Sequence, residues 1–246
     1  MRYGFIFLGL MFLSFNIQAK CDDEAKAGVN WTGCDKSNLD LSGVNLQSAI
    51  LRRVNFSNSN LSKARLQAAD LSFAKLEKTN FKAARMERAR LNNAKISQAD
   101  FSLAVIDEAR FSRAVIKQAV FNLSKLNKTD FYEAQIEVST FENTQIDKAN
   151  FSRARFVSAN FKNATAADAV FNQADLENAD FSNANLSSAK FEQANLLNVK
   201  FDQADLSAAS IQGAVIDGAS FTDAKLSSTI WVKYKRCRNG SVGVCE

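Results

Sequence analysis

The sequence predicts an all-β chain wound as a regular coil, and three observations carry that prediction. A large apolar residue stands at every fifth position from Leu41 to Trp231, a small residue precedes each by two places, and the chain has no proline and only nine glycines. Of the 39 large positions only Ala166 is not large and apolar, and no insertion breaks the register. A loop-rich globular enzyme would draw on proline and glycine more heavily for its turns. The abundance of Leu, Ile, Val and Phe excludes a disordered chain.

Each element of the unit follows from the period. An α-helix cannot use it, because five residues advance about 500° and successive large residues would wind around every side. A continuous strand cannot either, since an odd step sends alternate large residues to opposite faces. Within one unit, however, the small residue (Ala64, Ala69, Ala74, Thr79, Ala84 and onward) and the large one are two apart, which in extended chain puts both on the same side. The next two residues must turn to restore that side. Each unit is therefore a short extended face plus a corner, with small and large residues inward and Asp, Asn, Ser, Lys and Arg facing water.

The units AADLS, ENADF, NANLS, QANLL and QADLS, around Asp70, Asp180, Asn185, Asn195 and Asp205, resemble the pentapeptide-repeat family and its loose consensus A(D/N)LXX. The resemblance runs from Leu41 to Trp231 in one phase. It implies a right-handed, four-sided parallel β-helix with four pentapeptides per coil and about ten coils, a rod of roughly 45 Å at about 4.8 Å per coil. In such a coil residues 20 apart lie above one another. Phe81, Phe101, Phe121, Phe141, Phe161, Phe181, Phe201 and Phe221 are then expected to form one internal ladder, with Phe111, Phe131, Phe151, Phe171 and Phe191 facing it. Phe156, on the wall opposite Ala166, is expected to lean across and fill the space that alanine leaves.

The ends differ in composition from the repeats. The N-terminal MRYGFIFLGLMFLSFNIQA has one basic residue, an apolar run from Tyr3 to Phe15 and a polar close at Ala19, the layout of a secretory signal peptide (1–19). The run is short of the roughly 20 apolar residues a membrane span needs. Lys20 stands where a lipidated cysteine would want a small residue. Caps are expected at 20–40 and 232–246 around the repeat region 41–231. The cysteines form two local pairs, Cys21 with Cys34 and Cys237 with Cys245, because the long repeat region holds the ends apart. In an oxidising compartment they read as disulfide clamps. With no histidine and no close cysteine spacing, a zinc site finds no support. The segments AGVNWTGCDKSNLDLSGVNL and WVKYKRCRNGSVGVCE resemble the disulfide-closed ends of secreted family members, which implies that Trp31 and Trp231 cover the two ends of the core.

Charge is the main functional signal. From Leu51 to Lys128 there are 16 Lys and Arg against 6 Asp and Glu, net +10; from Thr129 to Ile230 there are 7 against 14, net −7. Arg52, Arg53, Arg90, Arg110, Arg113 and Arg153 share one face in a broken basic stripe with Asp70, Asp130 and Glu133. Leu103, Val120 and Leu123 make a small outward apolar patch, while Phe73 and Tyr132 face out on another side. Phosphate binding by such a stripe would be non-specific and salt-sensitive. The family's best-known activity, protecting DNA gyrase by imitating DNA, needs a strongly acidic cytoplasmic rod, and this chain as a whole is neither. No base accompanies the serines, and carboxylates such as Asp107 and Glu108 are neighbours on a corner rather than groups converging on a cleft. The expectation is an exported, periplasmic or secreted, non-enzymatic rod without cofactor or metal, which binds an unidentified protein or an anionic envelope component. A structural spacer or envelope-stress protein, an exported effector, and last a topoisomerase-protecting mimic are the alternatives.

Overall fold

The computed structural model describes residues 20–246, and the proposed signal segment 1–19 lies outside the described residues. The chain forms a right-handed, four-sided parallel β-helix. Residues 20 apart pair in parallel around the whole coil, as in the column Asn30, Ile50, Asp70, Arg90, Arg110 and onward to Ile230. Regular sheet is less extensive than the ten coils expected. Three-residue strands occur on one wall only among the described residues: β1 (Lys75–Glu77), β2 (Lys95–Ser97), β3 (Val115–Lys117), β4 (Gln135–Glu137) and β5 (Arg155–Val157). They stack in chain order as one parallel sheet spanning four steps. That wall places Ile96, Ile116 and Ile136 in consecutive coils, and β-branched residues favour extended backbone. Elsewhere single bridges join the coils.

Four walls can be distinguished by their inward residues. Wall one carries Leu51, Leu71, Leu91 and Phe111; wall two Phe56, Leu76, Ile96 and Ile116; wall three Leu61, Phe81, Phe101 and Phe121; wall four Leu66, Met86, Ile106 and Leu126. All are buried. From Leu41 to Ile211 the large-residue amides donate to the carbonyl of the next coil, as Leu51 does to Asp70 at 2.8 Å and Phe111 to Asp130 at 2.7 Å. These bonds close the coil at twenty residues.

The corner has a simple construction. At most corners the amide of the small residue returns to the carbonyl of the large residue three before it, as Ala64 does to Leu61 at 3.1 Å; the corners after the five short strands, at Thr79, Ala99, Ala119, Ser139 and Ala159, lack this bond. The residue just before the small one is left-handed at every corner from Gly28 (φ 72°) to Ser228 (φ 60°). A positive φ at that place is the mark of a type II turn. The Asp and Asn before the large residue support the turn: Asp180 Oδ1 accepts from the Ser182 amide at 3.0 Å, and Asp205 Oδ1 from the Ser207 amide at 3.0 Å. This local bond gives the D/N of the repeat a structural role beyond solubility. Where Ser or Thr replaces the inward alanine, its hydroxyl bonds a backbone carbonyl, as Thr79 does to Phe56 and Thr229 to Leu206.

Both phenylalanine ladders form as the spacing requires. Centroids lie 4.6 to 5.5 Å apart along the ladder from Phe81 to Phe221. Along Phe111 to Phe191 they lie 4.7 to 5.2 Å apart. The two ladders meet edge to face, for example Phe121 with Phe131 at 6.3 Å. Phe156 and Ala166 are both fully buried, and the Phe156 ring reaches 5.2 Å from Phe151 and Phe161 and 5.8 Å from Phe141.

Cys21–Cys34 and Cys237–Cys245 are bonded. Each tryptophan lies against an aromatic ring at its own end of the core, Trp31 6.4 Å from Phe56 and Trp231 beside Phe221. Trp31 is itself buried under the N-terminal segment, its indole donating to the Asp23 carbonyl at 3.1 Å with the Lys36 ammonium 4.1 Å from its ring. Trp231 remains half-buried, 5.0 Å from Phe221. The tail turns back to form antiparallel bridges with the last coil, Ile230 with Arg236 and Lys225 with Val242.

Two stability outcomes follow from this architecture. Phe151→Ala removes a ring stacked on both neighbours and should cost about 3 to 5 kcal/mol in urea unfolding. Val138, a β-branched residue held at φ 49° and exposed, is poorly suited to its corner, so Val138→Asn should stabilise by about 0.5 to 1 kcal/mol in the same measurement.

Candidate interaction surface

The outward residues of wall one form three columns because the register repeats every twenty residues. The first contains Asp70, Arg90, Arg110 and Asp130, bridged in that order. The second contains Arg52, Ser72, Asn92, Ser112 and Tyr132. The third, at the left-handed corners, contains Arg53, Phe73, Asn93, Arg113, Glu133, Arg153, Gln173 and Gln193. All six arginines of the basic stripe therefore share this wall.

The corner column is a connected rail. The Arg53 guanidinium lies 5.6 Å from the Phe73 ring centroid. Arg113 Nε lies 2.8 Å from Glu133 Oε2, and Arg153 Nη1 lies 4.0 Å from the other Glu133 oxygen while donating to the Tyr132 hydroxyl at 3.1 Å. Arg153 also donates to Gln173, and Gln173 to Gln193. Hydrogen bonds from Arg113 first, and from Tyr132, hold the Glu133 carboxyl below its ordinary range. The same bond pushes Arg113 up.

Arg90 is likewise committed, 3.2 Å from Asp70. Asp130 accepts from the Ser112 hydroxyl, the Asn150 amide group and the Tyr132 backbone amide. Arg110, exposed between Arg90 and Asp130, has no ion pair among the described residues, and neither does Arg52. A shallow cleft of about 600 Å³ opens beside Arg110, lined with Asn92, Ser112, Arg113, Asp130 and Tyr132. The Asn92 side-chain oxygen Oδ1 within it is buried without a hydrogen bond. A cleft of about 420 Å³ adjoins it between Arg90 and Lys128, and one of about 570 Å³ between Arg113 and Arg155.

The apolar candidates lie elsewhere. Leu103 and Leu123 occupy successive corners of wall three, 48% and 57% exposed, with Val120 half-buried beside them. Wall three is opposite wall one, so no single flat contact takes in both groups. Wall two carries a feature that charge counting missed, a mainly apolar groove of about 270 Å³ over Leu76, Ile96 and Val115, edged by Lys75, Lys95 and Lys117. Two of those lysines are 20 apart, and that spacing was its sequence signal. In the basic half as a whole, the ion-paired cations among the described residues are Arg85, Arg90, Arg113 and Lys117.

This rod with its A(D/N)LXX corners defines the class of protein, and the chain belongs to the pentapeptide-repeat family. The pentapeptide repeat region model matches residues 74–151 and 149–221, and a second model of pentapeptide repeats in eight copies matches 27–62 and 40–72. Among solved structures it is similar to HetL, a pentapeptide repeat protein involved in heterocyst differentiation regulation from the cyanobacterium Nostoc. That similarity is 23% identity over 87% of this chain and 93% of HetL, with a TM-score of 0.39. A pentapeptide repeat protein of the Arabidopsis thaliana thylakoid lumen is 27% identical over 43% of this chain and 79% of its own, with a TM-score of 0.38. The plasmid-mediated fluoroquinolone resistance protein QnrB1, in a trypsin-treated form, is 19% identical over 74% of this chain and 88% of its own, with a TM-score of 0.48. The search of curated proteins returns no match.

Glu133 holds two arginines at once, so its charge governs the wall. As the pH falls through the lowered pKa of Glu133 the carboxylate protonates and its attraction for Arg113 and Arg153 is lost; above the ordinary carboxylate range the attraction is fully present. Glu133→Gln should reproduce the acid state at neutral pH and raise the salt needed to elute the protein from an immobilised polyanion.

Proposed function

We propose that this chain is an exported, non-enzymatic β-helical rod that serves as a binding or scaffolding module and presents wall one to an anionic partner. The partner is an acidic protein surface or an anionic envelope polymer. The carrying observation is that Arg52 and Arg110 keep free charge on a wall whose other arginines are tied into fixed positions by Asp70, Glu133 and Phe73. A partner's acids can pair with Arg52 and Arg110 without first breaking internal bonds. The coil around them is already ordered, so little entropy is lost when the wall is covered.

Two further features support the reading. The disulfides suit an oxidising compartment. Among the described residues no helix is long and apolar enough to cross a membrane. The serines that recur at the first turn place serve the corner, and the carboxylates of wall one are engaged by neighbours, which leaves neither group poised for catalysis.

Binding to immobilised polyaspartate, followed by elution in a salt gradient, tests the reading. Arg52→Glu with Arg110→Glu should elute at clearly lower salt than the parent, because charge attraction across an exposed surface is screened within about 8 Å at physiological ionic strength. Lys200→Glu, on the acidic half, should elute close to the parent. Equal elution of all three proteins would contradict the reading. Export has its own check: protein recovered from the producing cell should begin at Lys20 and carry no free thiol.

A further inference from the structure

Leucine stands twice where the corner suits it least. Leu103 and Leu123 follow each other in the corner column of wall three, exposed and held at φ 60° and 61°. The corners on either side of them hold Lys63, Ala83, Asn143 and Asn163, and Val120 extends the apolar surface onto the flat of the same wall. Backbone strain and exposed apolar area coincide at these two places, a combination that points to a contact. The outward charges change sign around the pair. Lys63 and Lys82 lie on the two coils before it and Glu142 on the coil after it, and none of the three has an ion pair among the described residues.

We propose that wall three binds a second copy of this chain, the two rods side by side and antiparallel about a two-fold axis that passes between the coils of Leu103 and Leu123. In a two-fold contact the same patch serves both copies, so each pairing occurs twice. Coils equally far from the axis face one another. Leu103 therefore meets Leu123 of the second copy, and one coil further out Lys82 meets Glu142.

Charge selects this register. A parallel pair would set Lys82 on Lys82 and Glu142 on Glu142. An axis through the coil of Leu123 would set Lys82 on Lys162, and one through the coil of Leu103 would leave Glu142 opposite Ser62 and each Leu123 opposite Ala83. Of these arrangements, the axis between the two coils alone joins all four leucines and both Lys82–Glu142 pairs. The other charges of the stretch are held or neutrally faced: Lys162 lies 3.2 Å from Asp180, Asp100 accepts from the Ser102 amide at 2.8 Å, and Lys63 meets Asn163. At the next coil outward Asp40 would meet Asp180, so the matched stretch runs from Asn60 to Asn163. Over the whole rod the arrangement lays the basic half of one copy beside the acidic half of the other. Wall one stays on the outer side of both copies, so this inference can hold or fail apart from the reading of that wall.

The test is sedimentation velocity on the mature protein with both disulfides intact. A contact one wall wide is at the small end of specific interfaces, so the parent should dimerise with a Kd on the order of 10 to 100 μM, more weakly in about 0.5 M salt. Aspartate suits a left-handed corner, so Leu103→Asp with Leu123→Asp should unfold at the parent's temperature or above it and stay monomeric at every concentration. Lys82→Glu and Glu142→Lys should each dimerise at least about fivefold more weakly, since each places two like-charged pairs in the contact. Joining both changes in one chain, or mixing the two single variants, should restore the affinity to within about twofold of the parent. A parent that stays monomeric at about 500 μM, a dimer that the leucine pair does not disturb, or a charge-swapped chain that remains weak would overturn the proposal.

Discussion

The bond from the Leu51 amide to the Asp70 carbonyl, repeated at the large residues from Leu41 to Ile211, is the constraint on which the rest depends. It closes the coil at twenty residues and so decides which side chains are neighbours. Phenylalanines ten apart in sequence must face one another, and those twenty apart must stack. Outward residues twenty apart must also meet, which is why Arg113 lies against Glu133 and Arg90 against Asp70. One inserted residue would move every later side chain out of its column, and the sequence from Leu41 to Trp231 contains none.

The same constraint sets the cost of the corners. A coil this tight needs a left-handed residue at each turn, yet most corners hold residues other than glycine. Asparagine and aspartate tolerate that conformation, whereas leucine, valine and phenylalanine suit it poorly. Backbone bonding between coils and burial of the core outweigh the strain. Residues at these corners project furthest from the rod, so Phe73, Leu103, Leu123 and Val138 are exposed for the same reason that they are strained.

The interior could be read from the sequence because its period is strict. Five-residue spacing excludes helix and strand, and the ladders, buried alanines and local cysteine pairs then have little freedom. The surface was harder to read. The six arginines were correctly placed on one wall, but the count of charges did not show that Asp70 and Glu133 immobilise three of them and leave Arg52 and Arg110 free. That distinction depends on where long side chains settle between coils, which the spacing alone does not fix. The extent of regular sheet was also hidden, since it reflects three stacked isoleucines on one wall rather than the repeat.

A rigid coil separates chemically different walls by fixed distances, and in this molecule the free cations and the exposed leucines lie on different parts of the rod. Such a surface can hold more than one partner without changing shape. The most direct measurement of the central claim places a photocrosslinking residue at Asn93, beside the arginine cleft, and for comparison at Asn183, on the opposite wall of the acidic half, in protein at its natural level in the producing cell. The account predicts a product at Asn93 alone, lost when Arg52 and Arg110 become glutamate. Equal products at both positions, a product at Asn183 alone, or none at either would contradict it.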